Sequence, residues 1–194
     1  HDLFSAHAAV VKMRINFEGP FDMLSQQEIS DHIEIQQLMI RYANAIDQRQ
    51  WDRLDAVFTP DAFIDYSAMA GGKKGDYPFI KQWLSEALGH FRSYQHLIGN
   101  TEVQITGDRA TSLTACHNPM VISLPPMGKS AVFIGVWYED ELLRTPAGWR
   151  ISKRSEKPSY QHNTPSLMRL GQWLLSRLAQ SSSAPFFNLA PCPL

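Results

Sequence analysis

Residues 34–66, EIQQLMIRYANAIDQRQWDRLDAVFTPDAFIDY, decide the fold, because they join an amphipathic helix to a strand through a short polar connection. Just upstream, residues 25–28 read Ser-Gln-Gln-Glu, the pattern of a capping box that starts a helix. Residues 62–68, AFIDYSA, alternate in the manner of a strand. Apolar side chains recur at helical spacing from the capping box to Asp47, and the predicted stripe is Ile29, Ile33, Leu38, Tyr42 and Ile46.

Shorter patterns follow this helix. Residues 51–58 carry apolar side chains at helical spacing and predict a short second helix, closed by a turn at residues 59–61. Residues 71–76, GGKKGD, lack the Lys-Ser/Thr ending of a phosphate-binding loop, so we interpret them as a flexible connection. Asp76 is a predicted N-cap for a third, amphipathic helix.

Strand patterns dominate from about residue 94 to residue 158. Short turns, such as TPAG at residues 145–148, join consecutive runs and predict an antiparallel meander. Helices followed by a meander give an α+β fold. We expect one domain over residues 25–158, preceded by an extension or artificial segment at residues 1–24. Residues 159–194 are a predicted tail that covers the domain's cavity or a neighbouring subunit.

Composition and charge argue against several functions. Lys and Arg number 18 against 19 Asp and Glu, without a long run of one sign, so neither nucleic acid nor an anionic membrane is an expected partner. The N-terminal apolar run AAVV is too short to span a bilayer. Cys116 and Cys192 match no metal or disulfide spacing, which favours a cytoplasmic location.

The hexapeptide QHLIGN, residues 95–100, places polar groups in a strand that is otherwise apolar. In an extended segment His96, Ile98 and Asn100 share one face, so that face meets water or lines a polar pocket. Asp47 is equally unusual, because it continues an apolar helix face at the negative end of the helix dipole. A cation near Asp47 would resolve this conflict.

Three strings resemble the SnoaL-like branch of the nuclear-transport-factor-2-like superfamily: residues 34–66, residues 95–100, and GVWYEDELLRTPAGWRISKR at residues 135–154. The resemblance implies a cystatin-like cone, in which the N-terminal helices pack in a curled antiparallel β-sheet around a central apolar cavity. Superfamily members include dehydratases, isomerases, cyclases, hydrolases and non-catalytic domains. The fold alone therefore does not choose among these functions.

The resemblance extends to single residues of two kinds of member, the scytalone dehydratases and the hexachlorocyclohexane dehydrochlorinases. Asp47 and His96 match the aspartate and histidine that form their base dyad. Tyr66 matches a dehydratase tyrosine that holds a water or the substrate carbonyl, and His117 matches a second dehydratase histidine. These four residues are the predicted catalytic set. Asn100 matches a dehydrochlorinase asparagine and is a predicted substrate-binding residue.

Three apolar residues depart from the dehydratase pattern. Ile46 replaces a second active-site tyrosine, whereas Val132 and Ile134 replace a serine and an asparagine. We expect these three side chains to contact the substrate, which therefore differs from that of the dehydratases.

The leading hypothesis is a cofactor-independent lyase of the dehydratase type, or an isomerase. In it, His96 oriented by Asp47 removes a proton from a small, largely apolar cyclic substrate. His96, His117 and Asp47 in one cavity would also suit iron or zinc. The sequence has no short metal-binding motif of the H-x-D or HExxH kind to support such a site. We therefore expect no metal. The alternatives are a non-catalytic domain that binds a hydrophobic ligand or serves in assembly, and an epoxide hydrolase, which needs a second inward carboxylate. By resemblance, we expect a homodimer or homotrimer.

Overall fold

The computed structural model of this chain describes residues 23–124 and 128–164, so most of the predicted extension and tail lies outside the described residues. The α-helices are α1 (Gln26–Asp47) and α2 (Tyr77–Ala87), and short 3₁₀ helices occupy Trp51–Ala56 and Leu88–His90. The strands are β1 (Phe58–Asp65), β2 (Lys74–Asp76), β3 (Ser93–Tyr94), β4 (Leu97–Thr106), β5 (Arg109–Leu124), β6 (Gly128–Thr145) and β7 (Gly148–His162). Among the described residues, no helix has the length and apolar character needed to cross a membrane.

The strands form one curled, unclosed sheet in the order β2-β1-β7-β6-β5-β3, with β4 also paired to β5. Strands β4 to β7 form the predicted antiparallel meander. Strand β1 pairs with β7 in parallel, so the sheet is mixed rather than wholly antiparallel. Periodicity within a strand does not identify its partner, and these two strands lie far apart in the chain. The predicted α+β fold is confirmed, with this one change.

Helix α1 begins at the predicted capping box. The Ser25 hydroxyl accepts a hydrogen bond from the Glu28 backbone N–H at 3.2 Å, and the Glu28 carboxylate accepts one from the Ser25 N–H at 2.7 Å. The predicted stripe is wrong at its start, because Ile29 and Ile33 are exposed. At 3.6 residues per turn, Ile33 lies roughly 160° around the helix from Ile35. The buried face comprises Ile35, Leu38, Met39, Tyr42, Ala45 and Ile46.

Two predicted connections are in fact strands. The expected turn at residues 59–61 lies inside β1, whose pairing with β7 shifts register between Phe58 and Phe63. This irregularity accommodates Pro60, which has no N–H to donate to the ladder. The last three residues of the expected loop at 71–76 form β2. The predicted N-cap is confirmed, since the Asp76 carboxylate accepts a hydrogen bond from the Phe79 N–H.

A bidentate ion pair fixes the start of α1 on the sheet. The Arg144 guanidinium donates to both Asp31 carboxylate oxygens at 2.6 Å, and the Trp149 indole N–H donates to the same carboxylate at 3.1 Å. These hydrogen bonds hold the pKa of Asp31 well below its usual range. Because Arg144 and Trp149 flank the β6–β7 turn, this contact sets the placement of α1 against the sheet.

A second ion pair lies in the core, beneath α1. Arg154 donates to both Asp140 oxygens at 2.7 Å, and neither side chain is exposed to solvent. The guanidinium also lies over the ring faces of Tyr42 and Tyr138, at 4.1 and 4.3 Å from the ring centroids. Arginine is rarely fully buried unless it is paired. Arg154 meets that condition, because it points inward from β7 and is paired with Asp140 in the register of β6.

Candidate active site

A pocket of about 340 Å³ lies between α1, α2 and the inner face of the sheet. Its wall is mostly apolar and aromatic. The three predicted substrate-contact residues, Ile46, Val132 and Ile134, all line it. His96 and Tyr66 also line the pocket, so the fold brings together side chains from α1, from β6, from the residue just after β1 and from the segment before β4.

His96 and Asp47 form a close pair at this pocket. The Nδ1 atom of His96 lies 2.6 Å from one Asp47 oxygen, and the His96 backbone N–H donates to the other oxygen at 2.8 Å. The two side chains are only 5% and 19% exposed, respectively. An ionised carboxylate only accepts hydrogen bonds, so Nδ1 carries the proton in this contact. The other ring nitrogen, Nε2, is then the basic atom.

Local structure holds this pair in place. Arg49 adopts a left-handed conformation, with φ of 55°, so helix α1 ends just before it, at Asp47. His96 lies between β3 and β4 rather than within either strand, which leaves its backbone N–H free to bond Asp47. The Tyr94 hydroxyl donates to the Ile46 carbonyl at 3.2 Å and so joins this segment to the end of α1.

Asn118 is a site residue that sequence reasoning missed. Its amide nitrogen lies 3.0 Å from Nε2 of His96, and it lines the pocket. Its amide oxygen is buried and has no hydrogen-bond partner among the described residues. The signal was present in the alternation of β5, since Cys116, Asn118 and Met120 share a face and the other two are apolar.

His117 does not lie in the pocket, and its predicted placement there is wrong. Adjacent strand residues face opposite sides of a sheet, so the inward position of Asn118 turns His117 outward. There its ring stacks with Phe133 and Tyr160, and Nδ1 is hydrogen-bonded to the Tyr160 hydroxyl. His96, His117 and Asp47 therefore do not come together as a set of ligands for iron or zinc. No other group of three candidate metal ligands occurs within residues 23–124 and 128–164.

Asn100 is also outside the pocket. Strand β4 begins only after His96, and its pairing with β5 shifts register between Ile98 and Thr101. This bulge breaks the simple alternation that predicted a shared face for His96 and Asn100. Asn100 is exposed in the structure.

Two buried tyrosines provide hydroxyl groups in the pocket wall. The Tyr42 and Tyr66 oxygens lie 3.0 Å apart. Burial raises the pKa of Tyr42 to about 12 and that of Tyr66 well above its usual value, so both hydroxyls stay neutral. The Tyr42 ring meets that of His96 edge-on, with centroids 6.2 Å apart. Tyr42 was predicted only as part of an apolar stripe, because periodicity does not reveal what a tyrosine hydroxyl contacts.

The outward position of His117 leads to a test. We expect His117→Gln to leave the rate of any reaction in the pocket at the wild-type level, because the side chain contacts only outer-face residues. Steady-state kinetics on the purified variant measures this. A rate loss comparable to that of a His96 variant would contradict the assignment of the two faces.

Comparison with known sequences gives both a family and relatives. The family model described as a SnoaL-like domain matches residues 27–155. An uncharacterised protein of Mycobacterium tuberculosis is 53% identical over 139 residues, which cover 72% of this chain and 92% of the relative. A scytalone dehydratase-like protein of Passalora fulva is 32% identical over 74 residues, covering 38% of this chain and 42% of that protein.

Solved structures share the fold. A protein from Kribbella flavida aligns with a TM-score of 0.65 and 26% identity over 74% of this chain and 98% of its own. A hexachlorocyclohexane dehydrochlorinase from Novosphingobium barchaimii aligns with a TM-score of 0.59 and 18% identity over 69% of this chain and 90% of its own. The second likeness is one of fold alone.

Proposed function

The chain belongs to the SnoaL-like domain family, and on this premise we propose that it is a cofactor-independent lyase of the dehydratase type. In this proposal His96, oriented by Asp47, removes a proton from a small, largely apolar cyclic substrate. An isomerase would share this first step and differ only in the fate of the resulting enolate.

The observation that carries the proposal is the Asp47–His96 contact in the wall of an apolar pocket. A carboxylate bound to Nδ1 fixes the ring tautomer and stabilises the imidazolium that forms when Nε2 takes a proton. A non-catalytic domain would leave these residues apart or paired at the solvated surface. The 2.6 Å contact and the 5% exposure of His96 favour catalysis over that alternative.

The neighbouring groups suit proton removal beside a carbonyl. Neutral Tyr42 and Tyr66 hydroxyls are donors for the oxygen on which negative charge develops. In the resting site the Asn118 amide nitrogen is hydrogen-bonded to Nε2 of His96. The C–H group of the bound substrate takes the place of this hydrogen bond. Rotation of the Asn118 amide then presents its oxygen to the new Nε2–H of the imidazolium.

The pocket limits the substrate. Its volume of about 340 Å³ is near the lower end of ligand sites, and its apolar wall offers few polar contacts. A cyclic ketone with a leaving group β to the carbonyl fits both features. We therefore choose β-hydroxycyclohexanone as the probe, because its dehydration to the enone is followed by ultraviolet absorbance.

Asp47→Asn tests this proposal. We expect the variant to dehydrate the probe roughly 10²–10⁴-fold more slowly, because an amide no longer stabilises the imidazolium or fixes the tautomer. The loss should fall on kcat rather than KM, since Asp47 contacts His96 and not the substrate. Asp61→Asn is the matched control, because Asp61 is exposed on β1. Wild-type kcat in Asp47→Asn would contradict the proposal.

A further inference from the structure

We propose that Glu156 is a second catalytic residue of this pocket and protonates the oxygen that leaves the substrate, so that the leaving group is a hydroxyl. This inference rests on the proposed function and extends it to the substrate class. The sequence pointed to Asp47 as the one inward acid, and Glu156 in β7 was not singled out.

The position of Glu156 follows from the register of the sheet. It lies opposite Tyr138 of β6, and both side chains line the pocket. It also follows Arg154 by two positions on β7, so the two residues point to the same inner face. Arg154 is wholly buried in the core, whereas Glu156 is partly open to the pocket.

The Glu156 carboxyl makes no hydrogen bond or ion pair with any other described residue. The cation that attracts Glu156, Arg154, already donates two hydrogen bonds to Asp140, so its charge is largely neutralised. Burial therefore raises the pKa of Glu156 to about 7, against the opposing attraction of Arg154. The titratable groups that face Glu156 from the surrounding elements are Tyr42 of α1, Tyr66 just after β1, Cys116 of β5, Tyr138 of β6 and Arg154 of β7.

Glu156 and His96 reach the pocket from different parts of the sheet. Asn118, which contacts His96, is on β5, and β6 separates that strand from β7, so the two strands are roughly 10 Å apart. Tyr42 is close to both groups, because its ring centroid lies 6.2 Å from that of His96 and, besides burial, the charge of Glu156 raises the pKa of its hydroxyl. One small ring can therefore present a C–H to His96 and a hydroxyl to Glu156.

The chemical step is balanced without a further reactant. Nε2 of His96 takes the proton from the carbon beside the carbonyl, and the C–H electron pair becomes the new C=C bond. The C–O bond to the β-hydroxyl breaks, and its oxygen takes that bond's electron pair together with the Glu156 proton and leaves as water. Proton exchange with solvent then returns His96 to its neutral form and Glu156 to its acid form.

The test compares two leaving groups with one variant. General acid catalysis typically contributes at least about 100-fold, so we expect Glu156→Gln to dehydrate β-hydroxycyclohexanone at least about 100-fold more slowly. Elimination of chloride from β-chlorocyclohexanone should stay near the wild-type rate, because chloride leaves without a proton. Glu139→Gln, which removes a carboxylate that is 43% exposed on β6, is the matched control and should change neither rate.

A measurement without substrate tests the protonation state. The pKa of Glu156 is about 7 in the folded chain and about 4.5 when unperturbed, so its stabilising contribution is complete below pH 4.5 and is lost as the pH rises through 7. Gln does not titrate. The melting temperature of Glu156→Gln relative to wild type should therefore rise by at least roughly 3 °C between pH 4 and pH 8.

Three results would overturn this inference: an equal loss of both eliminations in Glu156→Gln, an undiminished dehydration, or a melting difference that is independent of pH. The first would make Glu156 a general structural or binding residue. An inactive wild type would contradict the proposed function itself, whereas an active wild type with an undiminished Glu156→Gln would contradict the role of Glu156 alone.

Discussion

Replacing His96 with Gln lowers the dehydration rate of β-hydroxycyclohexanone by roughly 10²–10⁴-fold, the range by which a positioned general base accelerates proton transfer. Gln keeps a polar side chain beside Asp47 and Asn118 but has no basic nitrogen. The same variant should also lose chloride elimination, because both reactions begin with removal of the same proton. Steady-state kinetics with both probes measures this effect.

Two comparisons exclude a folding defect as the cause of that loss. His117→Gln makes the same change on the outer face of the sheet and should keep full activity. The melting temperature of His96→Gln should stay close to that of the wild type, because the Gln amide keeps an N–H that can donate to the Asp47 carboxylate. A His96→Gln enzyme that retains near-full turnover would contradict a base at this position.

Removing Asp140 has the largest expected effect on stability. Asp140→Ala leaves the Arg154 guanidinium buried without its partner, and breaking a buried pair in this way costs about 3–5 kcal/mol of unfolding free energy. Urea denaturation of the wild type and the variant gives the difference. Because Arg154 lies against the faces of Tyr42 and Tyr138, the loss should also disturb the inner wall of the pocket.

The same hairpin offers a matched control for Asp140. Glu141 pairs with Lys153 at 2.8 Å, but both side chains are more than half exposed, so Glu141→Ala should cost at most about 1 kcal/mol. The double variant Asp140→Leu/Arg154→Met should recover most of the lost stability, because it removes both charges and fills the site. A loss below about 1 kcal/mol in Asp140→Ala alone would show that Arg154 reaches solvent or another anion.

Several parts of the fold that depend on local patterns were predictable from the sequence. The capping box at Ser25, the N-cap at Asp76 and the meander from β4 to β7 each depend on residues close together in the chain. The parallel pairing of β1 with β7 was not predictable in this way, since it joins distant segments. The inward Arg154 was missed for the same reason, because its partner Asp140 is set by strand register.

The candidate site was likewise predictable only in part. The Asp47–His96 contact follows from a family resemblance, because neither residue alone reveals a partner 49 positions away. The resemblance assigned His117 to the pocket, whereas the register of β5 turns His117 outward and places the next residue, Asn118, there. A bulge in β4 between Ile98 and Thr101 removed Asn100 from the pocket, and its sequence signal, the isolated Gly99 within the strand pattern, was overlooked.

Deuterium exchange into cyclohexanone is the most direct test of the central claim, that His96 oriented by Asp47 removes a proton beside a carbonyl. Cyclohexanone has no leaving group, so exchange in deuterium oxide, followed by NMR, isolates the proton-removal step from the role of Glu156. We expect the wild type and Glu156→Gln to accelerate exchange above the buffer rate, and His96→Gln to fall to that rate. Equal exchange by the wild type and His96→Gln would contradict the claim.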